Sequence, residues 1–233
     1  MAALNRREWR MGRDIALDSP SGKVGAWRAD PVEAPRGGIV VVQEIYGVNA
    51  HIRSVADHYA AEGYVAIAPA FFDPVAHGVE LGYSRGETSR GKALVDRLGL
   101  DAAVGIVGAA AKLLEGEGLK AGVVGFCWGG TVALLANTRL GLPAVSYYGA
   151  RNVPFLDEPL RAPMQFHFGG QDPSIPPEAV EAHREKLGDA ADVFLYPDAG
   201  HAFNRDLDPN HYHAEAAREA HARAMALFEQ ALS

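Results

Sequence analysis

The sequence contains one cysteine, Cys127, and it lies in a stretch built for a nucleophile: Gly125-Phe126-Cys127-Trp128-Gly129-Gly130. The G-x-Nuc-x-G pattern marks a sharp strand-to-helix turn. Its glycines allow backbone to pack tightly around a nucleophile held in a strained conformation. A helix beginning at Trp128 would add a free backbone N–H and a positive dipole end, favouring both a thiolate and a developing oxyanion. Two further residues complete a nucleophilic set. Asp172, in FHFGGQDPSIP, and His201, in LYPDAGHAF, each follow a strand-like run. Asp172 would orient the imidazole of His201, which would exchange the thiol proton and later protonate a leaving oxygen. A buried structural cysteine, an Asx-turn aspartate and a surface histidine are the plain readings of the three taken singly. Their shared order and placement at strand ends favour the triad.

The elements that must position these groups alternate along the chain. GGIVVVQEIYG (37–47), YVAIAPAFFDP (64–74), AGVVGF (121–126), AVSYYG (144–149), PMQFHFGG (163–170) and DVFLYPDAG (192–200) read as strands running into loops. Between them lie helical spacings over 51–63, around 88–98, 101–114, 131–139 and 177–187, and an amphipathic stretch over 211–232 closes the chain. RDIALDSPSGKVGAWRA (13–29) reads as an edge hairpin turning at SPSG. Alternating strands and helices, with uninterrupted apolar strands, indicate an α/β fold with a mostly parallel central sheet covered by helices on both faces. In such sheets functional groups gather beyond the carboxyl ends of the strands. Glu44, Cys127, Asp172 and His201 all sit there, and nucleophile, acid, histidine is the triad order of α/β-hydrolases.

Composition narrows the partners. The 233 residues are 48% hydrophobic with a net charge of −7, which suits one domain spanning 1–233 and disfavours nucleic acid or an anionic membrane surface. One cysteine precludes an internal disulfide or a Cys-rich zinc site. The opening MAALNRREWRMGRD lacks the apolar core of a signal peptide, and no apolar run approaches the roughly 18 residues of a membrane span. The expectation is therefore a mature, cytoplasmic protein, a monomer or small homo-oligomer, acting on a small molecule. His211 and His213 are two residues apart and share no helical face; they read as solvated, and no metal is expected. No nucleotide fingerprint is present and no cofactor is expected. Trp128, Tyr147 and Tyr148 read as core packing more readily than as pocket walls.

The chain resembles the dienelactone hydrolase family through QEIYGVN (43–49), GFCWGG (125–130), YYG (147–149), GGQD (169–172) and AGHAF (199–203), which occur in family order. The resemblance implies an α/β-hydrolase fold and a Cys127–His201–Asp172 triad that cleaves a small lactone or ester through an acyl-enzyme. It also implies that Glu44 meets the resting thiol and takes part in its activation. The backbone N–H groups of Ile45 and Trp128 would form the oxyanion hole, and Arg205 would hold a substrate carboxylate. The segment GYSRGETSRGKALVDRLGL (82–100) departs from the family pattern. Ungapped counting from one side reaches Thr88 and Lys92, and counting back from Cys127 reaches Arg85. Arg85 and Tyr83 are taken as the second substrate-binding pair, with Arg90 the alternative. The rival readings are a broader carboxylesterase or thioesterase with a drifted pocket, and a non-catalytic binding protein that uses Cys127 as an oxidation switch.

Overall fold

The computed structural model describes residues 12–233. Residues 1–11, which carry most of the expectation about a leader, lie outside the described residues. The chain enters through an antiparallel hairpin, β1 (Arg13–Ser19) and β2 (Gly22–Ala29), whose turn is closed by the Ser19 hydroxyl donating to the Gly22 carbonyl at 2.7 Å. Then follow β3 (Gly38–Val42), α1 (Ala50–Ala61), β4 (Val65–Pro69), α2 (Arg85–Leu98) and α3 (Leu100–Gly116). The second half runs β5 (Ala121–Phe126), α4 (Trp128–Leu140), β6 (Ala144–Tyr147), β7 (Met164–Gly169), α5 (Pro177–Leu187), β8 (Asp192–Tyr196) and α6 (Ala214–Leu232).

These strands form one eight-stranded sheet in the order β1-β2-β4-β3-β5-β6-β7-β8. Only the β1–β2 and β2–β4 pairings are antiparallel. Every residue of β3, β4, β5, β6 and β7 is buried, so both faces of the central sheet are covered. The edge strands β1 and β8 are largely open to solvent instead, with Leu17 and Tyr196 their only buried residues. Helices α1 and α6 meet through Tyr59 and Phe228, with ring centroids 6.0 Å apart. Helices α3 and α4 pack together and against β3 and β5. Among the described residues no helix is long and apolar enough to cross a membrane.

Three helix starts differ instructively from the spacing of apolar residues. Helix α2 begins at Arg85, where Ser84 and Glu87 form a reciprocal capping box. Helix α4 begins at Trp128, directly after Cys127. Helix α6 begins at Ala214 because His213 is extended and its Nδ1 accepts the Ala216 N–H at 3.2 Å. His213 is thus a helix cap, which corrects its reading as a merely solvated residue. His211 is half exposed and donates to Asp208 Oδ2 at 2.8 Å.

Candidate active site

The turn at Cys127 follows from its neighbours. Between the end of β5 and the start of α4 the chain reverses in one residue, and Cys127 adopts φ 55°, ψ −118°. A side chain there costs on the order of 1–3 kcal/mol and persists only where the surroundings enforce it. The enforcement is visible. Cys127 N–H donates to the Tyr147 carbonyl at 3.0 Å, and the Gly130 N–H donates to the Cys127 carbonyl at 2.9 Å. A Cβ at Gly125 would overlap the Gly129 carbonyl oxygen, and one at Gly129 would overlap the Gln43 carbonyl oxygen. At Gly130 a Cβ would lie 2.7 Å from Ser146 Oγ. The side chain of Cys127 is left partly exposed at the carboxyl end of the sheet.

Asp172 and His201 are brought together by two loops bonded to each other. The Gly170 N–H donates to the Tyr196 carbonyl at 2.7 Å and the Gln171 N–H to the Ala199 carbonyl at 2.9 Å. Asp172 is buried; its Oδ1 accepts the Ser174 N–H at 2.8 Å and its Oδ2 accepts His201 Nδ1–H at 2.6 Å. Burial alone would lower the pKa of His201, but its hydrogen bonds to Asp172 and Cys127 prevail and raise it to about 10. The imidazole therefore lies between the acid and the thiol, with Nδ1 committed to Asp172.

Glu44 follows β3 and is 1% exposed. Its carboxylate is paired edge-on with Arg205, Nε donating to Oε2 at 3.1 Å and Nη2 to Oε1 at 3.0 Å. The resting contact between Glu44 and the thiol that the resemblance implies is thus replaced by an ion pair with Arg205. A bidentate, charge-assisted pair is stronger than a hydrogen bond from a thiol. Arg205 is itself 4% exposed, and its Nη1 donates to Asp208 Oδ2 at 3.0 Å. The Tyr83 ring lies against the guanidinium, 4.0 Å from ring centroid to Cζ, with Tyr46 at 5.3 Å.

The segment before α3 divides into residues that touch the site and residues that are exposed. Tyr83 lies on Arg205, and its hydroxyl accepts from Asn49 Nδ2 at 3.3 Å while Asn49 Oδ1 caps α1 by accepting the Ile52 N–H. The Thr88 hydroxyl is 3.2 Å from that of Tyr46. Gly91 touches the Ile45 backbone so closely that a Cβ would overlap the Ile45 carbonyl oxygen. Arg85, Arg90 and Lys92 are exposed. The structure brings Tyr83 to Arg205 but leaves Arg85 and Arg90 exposed to solvent, Arg85 in the first turn of α2 that Ser84 caps.

Trp128 is the first residue of α4, where helix geometry leaves its N–H without an intrahelical acceptor. Its indole packs in the core between Phe71 and Phe72, with centroids at 5.9 and 6.3 Å. Tyr147 and Tyr148 are also buried. Tyr148 is more than packing: at φ 40° it sets its ring 5.1 Å from His201, and its buried hydroxyl has no partner among the described residues. Burial raises its pKa well above the usual phenol value, as does its nearness to Glu44 and Cys127, against the lowering effect of Arg205. Sequence reading missed this location of Tyr148, and it missed Asp208 and Tyr46. The only signal for Tyr148 was its place one residue beyond a strand in YYG.

A model of the dienelactone hydrolase family matches residues 24–232. A protein of Escherichia coli (strain K12) named "Putative carboxymethylenebutenolidase" is 34% identical, the match covering 92% of this chain and 85% of that protein. The "Carboxymethylenebutenolidase" of Pseudomonas putida is 32% identical over 91% of this chain and 93% of its own length. Among solved structures, a protein of Klebsiella pneumoniae described as "Putative Dienelactone Hydrolase" superposes with a TM-score of 0.83 and 30% identity, covering 94% of this chain and 98% of that one.

Proposed function

The chain belongs to the dienelactone hydrolase family, whose members hydrolyse esters and lactones, and from that premise we propose that it acts through Cys127 as nucleophile. His201 takes the thiol proton and Asp172 holds the imidazolium. The thiolate attacks the carbonyl carbon, forming a C–S bond, while the oxyanion is met by the N–H groups of Trp128 and Ile45. Collapse breaks the C–O bond, and His201 gives its proton to the departing oxygen. Water then attacks the thioester, His201 accepts its proton, the C–S bond breaks, and the acid product leaves with the thiol restored.

The observation that carries this reading is the strained exposure of Cys127 beside an imidazole whose other nitrogen is bonded to buried Asp172 at 2.6 Å. The relatives' names point to a butenolide bearing a carboxylate as the substrate type. Arg205 supports that choice, because the edge it gives to Glu44 also fits a substrate carboxylate. When that carboxylate takes the edge, Glu44 is released toward the thiol. A broader esterase with a drifted pocket is the second reading, favoured by the exposed positions of Arg85 and Arg90, which leave Arg205 without a second arginine from α2.

The test is hydrolysis of a carboxylate-bearing dienelactone and of a neutral aryl ester by wild type and Cys127→Ala. Cysteine-dependent turnover with the lactone preferred is expected. Comparable turnover of both supports the second reading, and turnover that survives Cys127→Ala contradicts the assignment of the nucleophile.

A further inference from the structure

Arg205 is held on three sides, and only one of them is Glu44. Glu44 occupies the Nε/Nη2 edge, Asp208 accepts from Nη1, and Tyr83 covers a face. The three supports differ in what happens to them when a substrate arrives. If a substrate carboxylate takes the Nε/Nη2 edge, Glu44 must leave it. Asp208 is on the opposite amino group and has no reason to move. Its position is fixed locally: Oδ1 accepts the Asn210 N–H at 3.2 Å, Oδ2 also accepts from His211 Nδ1 at 2.8 Å, and its carbonyl accepts the His211 and Tyr212 N–H groups at 3.0 and 2.9 Å.

A long, flexible side chain that loses its one charged partner would lose its geometry with it. With Asp208 in place, the guanidinium keeps its plane and its Nη1 anchor throughout the exchange at the other edge. We propose that Asp208 is the positioning residue that keeps Arg205 presented to a substrate carboxylate when Glu44 gives up its place. The inference rests on the role of Arg205 in the proposed function. Asp208 touches neither substrate nor reacting atoms in this scheme and acts only through Arg205.

A turn aspartate with a purely structural role would also be buried and bonded to backbone, so the test must separate the two. Two esters with one leaving group and nearly equal acyl size serve: mono-4-nitrophenyl glutarate, which carries a carboxylate, and neutral 4-nitrophenyl pentanoate. Asp208→Ala is expected to raise KM for the glutarate by about tenfold, the scale of one charge-assisted hydrogen bond, and to leave kcat/KM for the pentanoate within about twofold. Asp208→Asn, which keeps an acceptor oxygen and the volume, is expected to show a smaller effect in the same direction. In an Arg205→Ala background, Asp208→Ala is expected to add nothing further on the glutarate.

Equal losses on both esters, or additive losses in the double variant, would overturn the inference and leave Asp208 a turn residue. If Arg205→Ala impairs both esters alike, the carboxylate-binding role assigned to Arg205 is what fails, and the inference falls with it. Turnover of either ester that is independent of Cys127 would instead overturn the nucleophile assignment, which the Cys127→Ala control reads separately.

Discussion

The carboxylate of Glu44 and the guanidinium of Arg205, 161 residues apart in sequence, pair edge to edge through two hydrogen bonds of 3.1 and 3.0 Å. Both side chains are almost wholly buried, at 1% and 5% exposure. Burying two charges is tolerable only while each has its partner. Arg205→Met should therefore destabilise the protein by about 3–5 kcal/mol, because it strands Glu44 and Asp208. Replacing Glu44 by Leu in the same chain should recover part of that loss. Urea denaturation of the single and double variants measures both; a double variant less stable than Arg205→Met would contradict the pairing argument.

The turn carrying Cys127 makes a second prediction, about its glycines. A Cβ at Gly129 would run into the Gln43 carbonyl and one at Gly125 into the Gly129 carbonyl, both of them backbone atoms that no rotamer change can move. Gly129→Ala is expected to cost at least about 2–3 kcal/mol and to lower Cys127-dependent turnover beyond what lost folding explains. Gly116, on the last turn of α3 with open space around it, is the control. Gly116→Ala should be neutral or slightly stabilising in thermal melts.

Protonation of His201 should be visible in the stability curve. The folded state holds its pKa near 10, against an ordinary value of 6.5. A raised folded pKa contributes stability that is fully present below about 6.5. That contribution declines as the unfolded chain loses its proton and is gone above about 10. The urea midpoint of the wild type should therefore fall across that window, and the fall should be shallower in His201→Gln. Parallel curves for the two proteins would show that His201 does not carry the effect.

Capping supplies a further prediction. Asn49 caps α1 with its oxygen and steadies the Tyr83 hydroxyl with its nitrogen. Asn49→Ala should cost about 1 kcal/mol of stability for the lost cap. It should also raise KM for a carboxylate-bearing ester more than for a neutral one, because Tyr83 loses the bond that holds its ring over Arg205. Asn49→Ser, which can cap but cannot reach Tyr83, should restore stability without restoring the substrate preference.

Much of this was legible in the sequence because it is local. The bounds of α5 follow from Pro177 at its first position and Gly188 just past its end, and the turn at Cys127 is written in three glycines within six residues. The buried strands announce themselves as unbroken apolar runs. The start of α2 was also written, in Ser84-x-x-Glu87, but the apolar spacing drew attention to Thr88 instead. The earlier start takes Arg85 into the first turn of the helix, where it is exposed, as is Arg90. Asp208 was not legible, since it carries no motif, and Tyr46 stands inside QEIYGVN, where nothing local ties its ring to Arg205. Each matters only because the segment after His201 folds back to bring Arg205 against the loop after β3. That contact is tertiary, and its signal lies in charge pairing across the chain, not in spacing along it.

The central claim is that Cys127 becomes acylated during turnover, and quenching the reaction with mono-4-nitrophenyl glutarate in acid, followed by mass spectrometry of the peptide containing Cys127, tests it most directly. The account predicts a glutaryl mass increment on Cys127 in the wild type, absent in Cys127→Ala, together with release of 4-nitrophenolate. Release of 4-nitrophenolate with no acyl group on Cys127, or with one on another residue, would contradict it.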